Sequence, residues 1–117
     1  MPRLTPLRAL TGWRRYVKTV WLAVRRVAPD AEVYLVGGAA ESRLTVASDI
    51  DILVVLPHEP SFHEAVELRE KILESAESLG LPPYAPIELH ITGPRGLERY
   101  RRRGRLVRLD ELVAGEE

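Results

Sequence analysis

Gly37 to Val54 reads GGAAESRLTVASDIDILV, and the elements at its two ends decide what kind of fold the chain can adopt. Immediately before it, Glu32 to Val36 (EVYLV) is rich in β-branched and aromatic residues and stops at the Gly37, Gly38 pair, as a strand does at a tight turn. At the far end, Asp49 to Leu56 reads DIDILVVL, an apolar run behind two acids that Pro57 closes; such a run suits a strand buried on both faces. Between the two strands, Ala39 to Ser42 can form a short helical turn and Arg43 to Ser48 a connection.

Outward from this pair of strands, helical and extended patterns alternate. Upstream, Trp13, Val17, Val20, Trp21, Val24 and Val27 recur at three- and four-residue steps, with Arg14, Arg15, Lys18, Arg25 and Arg26 between them. That spacing predicts an amphipathic helix from about Thr11 to Ala28, ended by Pro29 and Asp30, with Thr5 before Pro6 capping a short preliminary turn. Downstream, Ser61 and Glu64 form an S-x-x-E capping box. Phe62, Ala65, Val66, Arg69, Ile72, Leu73, Ala76 and Leu79 then trace one helical face, and Gly80 with Pro82 ends it. Pro86 to Ile91 is a third predicted strand, Thr92 to Arg103 a short basic helix stopped by Gly104, and Arg105 to Leu109 a small fourth strand. An order αβ(α)βαβαβ over 117 residues predicts one α/β domain, residues 1–117, in which helices flank a small mixed β-sheet.

Composition narrows the function classes. A chain of 117 residues supports one core and excludes two catalytic domains. There is no run of 18 apolar residues to span a bilayer, and Met1 to Thr11 lacks the apolar stretch of a secretory signal, so a soluble, cytoplasmic protein with no membrane partner is expected. The absence of cysteine excludes disulfides, zinc ribbons and thiol nucleophiles, and leaves any metal to oxygen or imidazole ligands. Asn and Gln are also absent, one mark of proteins from hot environments, and Arg outnumbers Lys 15 to 2, which fits a hot source and a biased genome composition equally. The zero net charge is unevenly spread. Residues 1–26 hold seven basic and no acidic side chains, 27–92 hold three and twelve, and 93–117 hold seven and five. A basic rim around an acidic centre would suit a polyanion bound through cations.

On a strand, Asp49 and Asp51 project to the same side ~6 to 7 Å apart, while Ile50 and Ile52 enter the core on the other side. Two unit charges about 4 Å apart repel by about 4 kcal/mol at an effective dielectric near 20, so folding alone gives no reason to put both carboxylates at the mouth of an apolar strand. A divalent cation removes that cost, and ligation by carboxylates with positions left for water and phosphate is what Mg²⁺ prefers. The purely structural reading has Asp49 capping the strand and Asp51 paired with an Arg. Glu88, flanked by Ile87 and Leu89, breaks another apolar run and can supply a third carboxylate. Gly37 and Gly38, without Cβ atoms, let backbone N–H groups approach a phosphate, and Ser42 and Arg43 lie within reach of a bound triphosphate. His58, Glu59 and His63 do not form a zinc site, because the histidines are five apart and Pro60 interrupts; both are read as surface residues. His90 shares a strand face with Glu88 and borders this region, and is read as a supporting or structural histidine. Trp13 and Trp21 are assigned to core or interface.

The pattern G-G, ten residues, D-I-D-I, then a later h-E-h strand resembles the DNA polymerase beta-like nucleotidyltransferase superfamily, whose signature is hG[GS], a spacer, Dh[DE]h, and h[DE]h. In its brevity the chain is similar to the minimal nucleotidyltransferases. The resemblance implies that Asp49, Asp51 and Glu88 are the catalytic, metal-holding carboxylates of a two-Mg²⁺ site. It implies equally that Gly37, Gly38, Ser42, Arg43 and Ser48 contact the NTP substrate, ATP being the expected one. Minimal members commonly carry Ser and Arg where Gly38 and Glu41 stand here, and the third acid is more often Asp than Glu. The implied reaction moves a nucleoside monophosphate to an acceptor hydroxyl on RNA or protein. Minimal members also resemble antitoxins that act beside a helical partner of the HEPN type, and a homo-oligomer is a further assembly open to the chain. The alternative is a non-catalytic, partner-binding module on the same fold.

Overall fold

The computed structural model describes residues 4–40 and 49–114. In chain order the elements are α1 (Leu4–Val27), β1 (Glu32–Val36), α2 (Gly37–Ala40), β2 (Ile50–Val55), α3 (Phe62–Ser78), β3 (Ile87–Thr92), α4 (Pro94–Arg103), β4 (Val107–Arg108) and α5 (Leu109–Ala114). The strands form one sheet in the order β3-β2-β1-β4. β2 and β3 run parallel while β1 is antiparallel to both β2 and β4, so the sheet is mixed, as expected.

The period of two in the strands divides the interior between the two faces of the sheet. Ile50, Ile52 and Val54 of β2 join Val33, Leu35 and Leu89 under α1, α3 and α5, which contribute Val17, Val20, Val24, Ile72, Ala76 and Leu109. On the opposite face, Leu53 and Val55 meet Tyr34 and Val36, covered by Leu97 and Tyr100 of α4 and by Leu106. Every β2 residue after Asp51 is therefore buried, the outcome that DIDILVVL predicts. Backbone bonds from Ile50 N–H to the Pro86 carbonyl (2.7 Å) and from Leu56 N–H to the Thr92 carbonyl (2.8 Å) bracket the β2–β3 ladder and fix its register.

Several local expectations need correction. No separate turn precedes α1: the helix is continuous from Leu4 through Pro6, which the first turn accommodates because its N–H groups have no intrahelical partners. On α3, Phe62 is 86% exposed and Val66 is 38% exposed. Phe62 is the first residue of α3, and the α3 side chains that reach the core are Ile72 and Ala76 with Leu68, Leu73 and Leu79. Ser61 does cap α3, its Oγ accepting from Glu64 N–H at 3.1 Å, but the Glu64 carboxylate turns to His58 (2.8 Å) instead of closing the box. His58 and His63 are surface residues, as read from the sequence. Trp13 and Trp21 pack against the core. The fourth strand shrinks to Val107–Arg108, and Leu109 opens α5, a helix not anticipated. Its local signal was Leu109, Leu112 and Val113 at helical spacing with Asp110 and Glu111 in the first turn.

α5 is tied to α1 by Trp21 Nε1–H, which donates to Asp110 Oδ1 at 2.6 Å, while Arg108 lies 3.2 Å from the same carboxylate. The indole hydrogen bond, against some desolvation and with help from Arg108, holds the Asp110 carboxyl below its ordinary range. A depressed carboxylate pKa adds stability above the unfolded-state value, and that stability disappears as the pH falls through the folded-state value. Asp110→Asn should therefore melt below wild type at pH 7, with the gap closing as the pH drops below about 4. Thermal melts at pH 7, 5 and 3 check it; a gap that is the same at all three would show that the Asp110 charge contributes nothing.

No helix among the described residues is long and apolar enough to cross a membrane.

Candidate active site

The parallel register of β2 and β3 sets Asp51 beside Glu88 and Leu53 beside His90. Since Ile50, Ile52 and Leu89 face the main core, alternation sends Asp51, Glu88 and His90 to the α4 side of the sheet. They gather where β1 ends and β2 and β3 begin, because Val36, the last residue of β1, is the antiparallel partner of Asp51. The His90 Nε2 lies 3.0 Å from Asp51 Oδ1 and 4.0 Å from Glu88 Oε1. One ligand atom from each of the three residues falls within 4.8 Å of the others.

Gly37 closes the site from the β1 side. Its φ is +68°, in the left-handed region that favours glycine, and a Cβ there would stand 2.8 Å from Asp51 Oδ2. The residue satisfies two demands together, the sharp exit from β1 into α2 and the close approach of backbone to carboxylate.

A cavity of about 260 Å³ opens in front of these residues. Gly37, Asp51 and His90 form one side; Tyr100, Arg103 and Arg105 form the other. α4 can cross the sheet this closely because Gly96 has no side chain: a Cβ there would sit 1.8 Å from Thr92 Oγ1 at the end of β3. The same end of α4 is held by Glu59, whose Oε2 accepts from Arg95 N–H (2.8 Å) in the first turn. Burial raises the Tyr100 hydroxyl pKa, the carboxylates of Asp51 and Glu88 push it the same way, and Arg103 opposes them. The Tyr100 ring centroid is 6.1 Å from that of His90, tilted by 52°.

The structure thus brings together two of the three predicted carboxylates, Asp51 and Glu88, with Gly37. Asp49 is exposed one residue ahead of β2, and its carboxylate is outside the Asp51, Glu88, His90 group. Gly38 is half-buried in α2. Ser42, Arg43 and Ser48 lie outside the described residues. His90 is far more central than its reading as a supporting histidine, and the shared face with Glu88 was the signal that could have promoted it. Tyr100, Arg103 and Arg105 gave no comparable signal, because only the path of α4 across the sheet brings a basic helix to the carboxylates. They bring the basic C-terminal segment against the carboxylates, whereas basic α1 packs on the opposite face of the sheet.

Two carboxylates and an imidazole converging beside an open cavity form a donor set that fits a divalent cation, and arginines across from it suit a polyphosphate. The arrangement agrees with what the chain is similar to. A family model described as nucleotidyltransferase domain matches residues 17–104, which contain every residue named in this site except Arg105. A crystal structure from Sulfolobus solfataricus, assigned to the nucleotidyltransferases, superposes with a TM-score of 0.60 at 21% identity, over 86% of this chain and 84% of that one. A second crystal structure with the same assignment superposes with a TM-score of 0.50 at 26% identity, over 78% of this chain and 94% of that one. No curated protein matches the chain.

Proposed function

The chain belongs to the nucleotidyltransferase domain family, and on that premise we propose that it moves a nucleoside monophosphate from an NTP, ATP first, to an acceptor hydroxyl with Mg²⁺ or a similar dication. The observation that carries this reading is the in-register pairing of Asp51 with Glu88, with Asp51 sharing one cavity with Gly37, Arg103 and Arg105. Asp51 and Glu88, with Asp49 two residues before Asp51, would hold the cation. When bound, it supplies positive charge against the charge that develops on the transferred phosphoryl group and the departing pyrophosphate. The backbone at Gly37 and Gly38 leaves room for the phosphates. Arg103 and Arg105 complement the triphosphate charge, and the Tyr100 ring offers a flat surface for the base.

In the transfer, the acceptor oxygen bonds to the α-phosphorus, the bond from that phosphorus to the bridging oxygen breaks, and pyrophosphate leaves. Glu88, half exposed beside Asp51 and His90, accepts the hydroxyl proton and returns it to water. An edge position of this kind lets an acceptor reach the site while held by another molecule. A helical protein of the HEPN type is the first candidate for that role and RNA the second.

Calorimetry with Mg²⁺ and each of the four NTPs tests the first half of this reading, and transfer of label from radioactive ATP to a protein encoded alongside or to RNA tests the second. Arg103→Ala should weaken NTP binding by about tenfold or more while leaving the transfer rate at saturation nearly intact, because a charge-assisted hydrogen bond contributes about 1.5 to 3 kcal/mol. If a well-folded protein binds no NTP, the transferase reading fails and a partner-binding module on the same fold replaces it.

A further inference from the structure

His90 offers one atom, Nε2, to two carboxylates at once: Asp51 Oδ1 at 3.0 Å and Glu88 Oε1 at 4.0 Å. In a neutral imidazole one ring nitrogen donates and the other accepts, so Nε2 presents to this gap either one N–H or one lone pair. Here the same nitrogen points into the gap between both acids, on the wall of the cavity, in a side chain 30% exposed. A single N–H serves two acceptors at 3.0 and 4.0 Å poorly, whereas a cation in that gap is served by all three groups.

The spacing agrees with that use. For ligand bonds of about 2.1 Å, adjacent donors around an octahedral ion stand ~3.0 Å apart and opposite ones ~4.2 Å. The Asp51–His90 edge is 3.0 Å and the His90–Glu88 edge is 4.0 Å, close to an adjacent and an opposite pair. Tyr100 stands against the imidazole, limiting the swing of the ring away from the carboxylates.

We propose that His90 is a nitrogen ligand to the cation held by Asp51 and Glu88, so that this site prefers Mn²⁺ and its first-row neighbours to Mg²⁺. The inference rests on the reading that these residues hold a dication. Mg²⁺ is hard and favours oxygen, while imidazole raises affinity along the series from Mn²⁺ onward.

The test uses Mn²⁺ as the probe, read by its electron spin resonance in solution, and Mg²⁺ as its competitor. To leave one imidazole in the chain, the background is His58→Gln/His63→Gln, both exposed and beyond the opposite end of β2. Mn²⁺ bound to this protein should show ¹⁴N modulation in its spin echo, replaced by a ¹⁵N pattern when the histidine is isotopically labelled. His90→Gln, which retains length and a polar end but no imidazole, should lose the modulation. It should also lower the ratio of Mn²⁺ to Mg²⁺ affinity by about tenfold. The isotope exchange needs no change at His90, so the result stands even if that variant folds poorly. Mn²⁺ bound without nitrogen modulation, or an unchanged affinity ratio in folded His90→Gln, overturns the role of His90 and leaves the dication site in place. Failure of the background protein to bind either ion, with or without ATP, overturns both.

Discussion

Asp51→Asn should leave a folded protein whose transfer of label from ATP is slower by a factor on the order of 10³, the scale set by losing one charged group that acts on the reacting phosphate. The effect is large because Asp51 meets every other part of the site. It lies 3.0 Å from His90 Nε2, pairs in register with Glu88, would collide with any side chain at position 37, and faces the cavity across from Arg103. Its flanking residues, Ile50 and Ile52, are 2% and 0% exposed and hold the strand independently of the carboxylate. The amide keeps one oxygen near His90 but removes the charge, and its nitrogen cannot ligate a cation. Without a metal, the change relieves repulsion with Glu88, so the variant should melt no lower than wild type. Added Mn²⁺ or Mg²⁺ should raise the melting temperature of wild type and not of the variant. At a hundred times its dissociation constant one bound ion stabilises by about 2.7 kcal/mol, readily seen in a melt. A full metal response in Asp51→Asn would place the ion elsewhere. Asp49→Asn, measured beside it, reports whether the exposed carboxylate ahead of β2 joins the site once metal and nucleotide are bound.

What could be read from the sequence and what could not divide along a physical line. EVYLV and DIDILVVL declare themselves because alternation and β-branching act over a few residues, and Gly80 and Ser61 mark helix ends for equally local reasons. Asp51 and Glu88 were legible as chemistry because each interrupts an apolar run at an energetic cost that folding does not explain. Their meeting depends on a register, Asp51 opposite Glu88 in a parallel pair, set by ladder bonds between residues 36 or more apart. Local pattern does not encode that distance. The same limit hid the other half of the cavity. The arginines of α4 read as a solvated helix face, and only Gly96 packing on Thr92 turns that helix across the carboxylates. His90 was visible on the right face but undervalued, since alternation gives direction and not proximity: its 3.0 Å approach to Asp51 is a tertiary fact. α5 was missed through competition between neighbouring signals, with Val107 drawing the stretch toward strand when Leu109 already belongs to the next helix.

Gly37→Ala should remove most transfer activity although alanine carries no charge and adds one carbon. Two costs coincide at this position. The backbone sits at φ +68°, where an L-residue costs about 1 to 2 kcal/mol relative to glycine, and the new Cβ would stand 2.8 Å from Asp51 Oδ2, closer than such contacts occur. Either the β1–α2 turn opens or the Asp51 carboxylate rotates away from His90 and Glu88, and both responses break the group that lies within 4.8 Å. A displacement of about 1 Å at a reacting centre can cost on the order of 100-fold in rate. Gly80→Ala provides the comparison that separates these effects. Its φ of +108° also penalises a side chain, but nothing lies within 4 Å of the added Cβ, and the residue follows the end of α3, away from the cavity. Gly80→Ala should lose about 1 to 2 kcal/mol in denaturant titrations and Gly37→Ala at least as much, while only Gly37→Ala should lose transfer and dication binding. Equal activity in the two variants at matched folded fraction would mean that the Asp51 carboxylate is free to move without consequence, and the close approach of Gly37 would then be a feature of the turn alone.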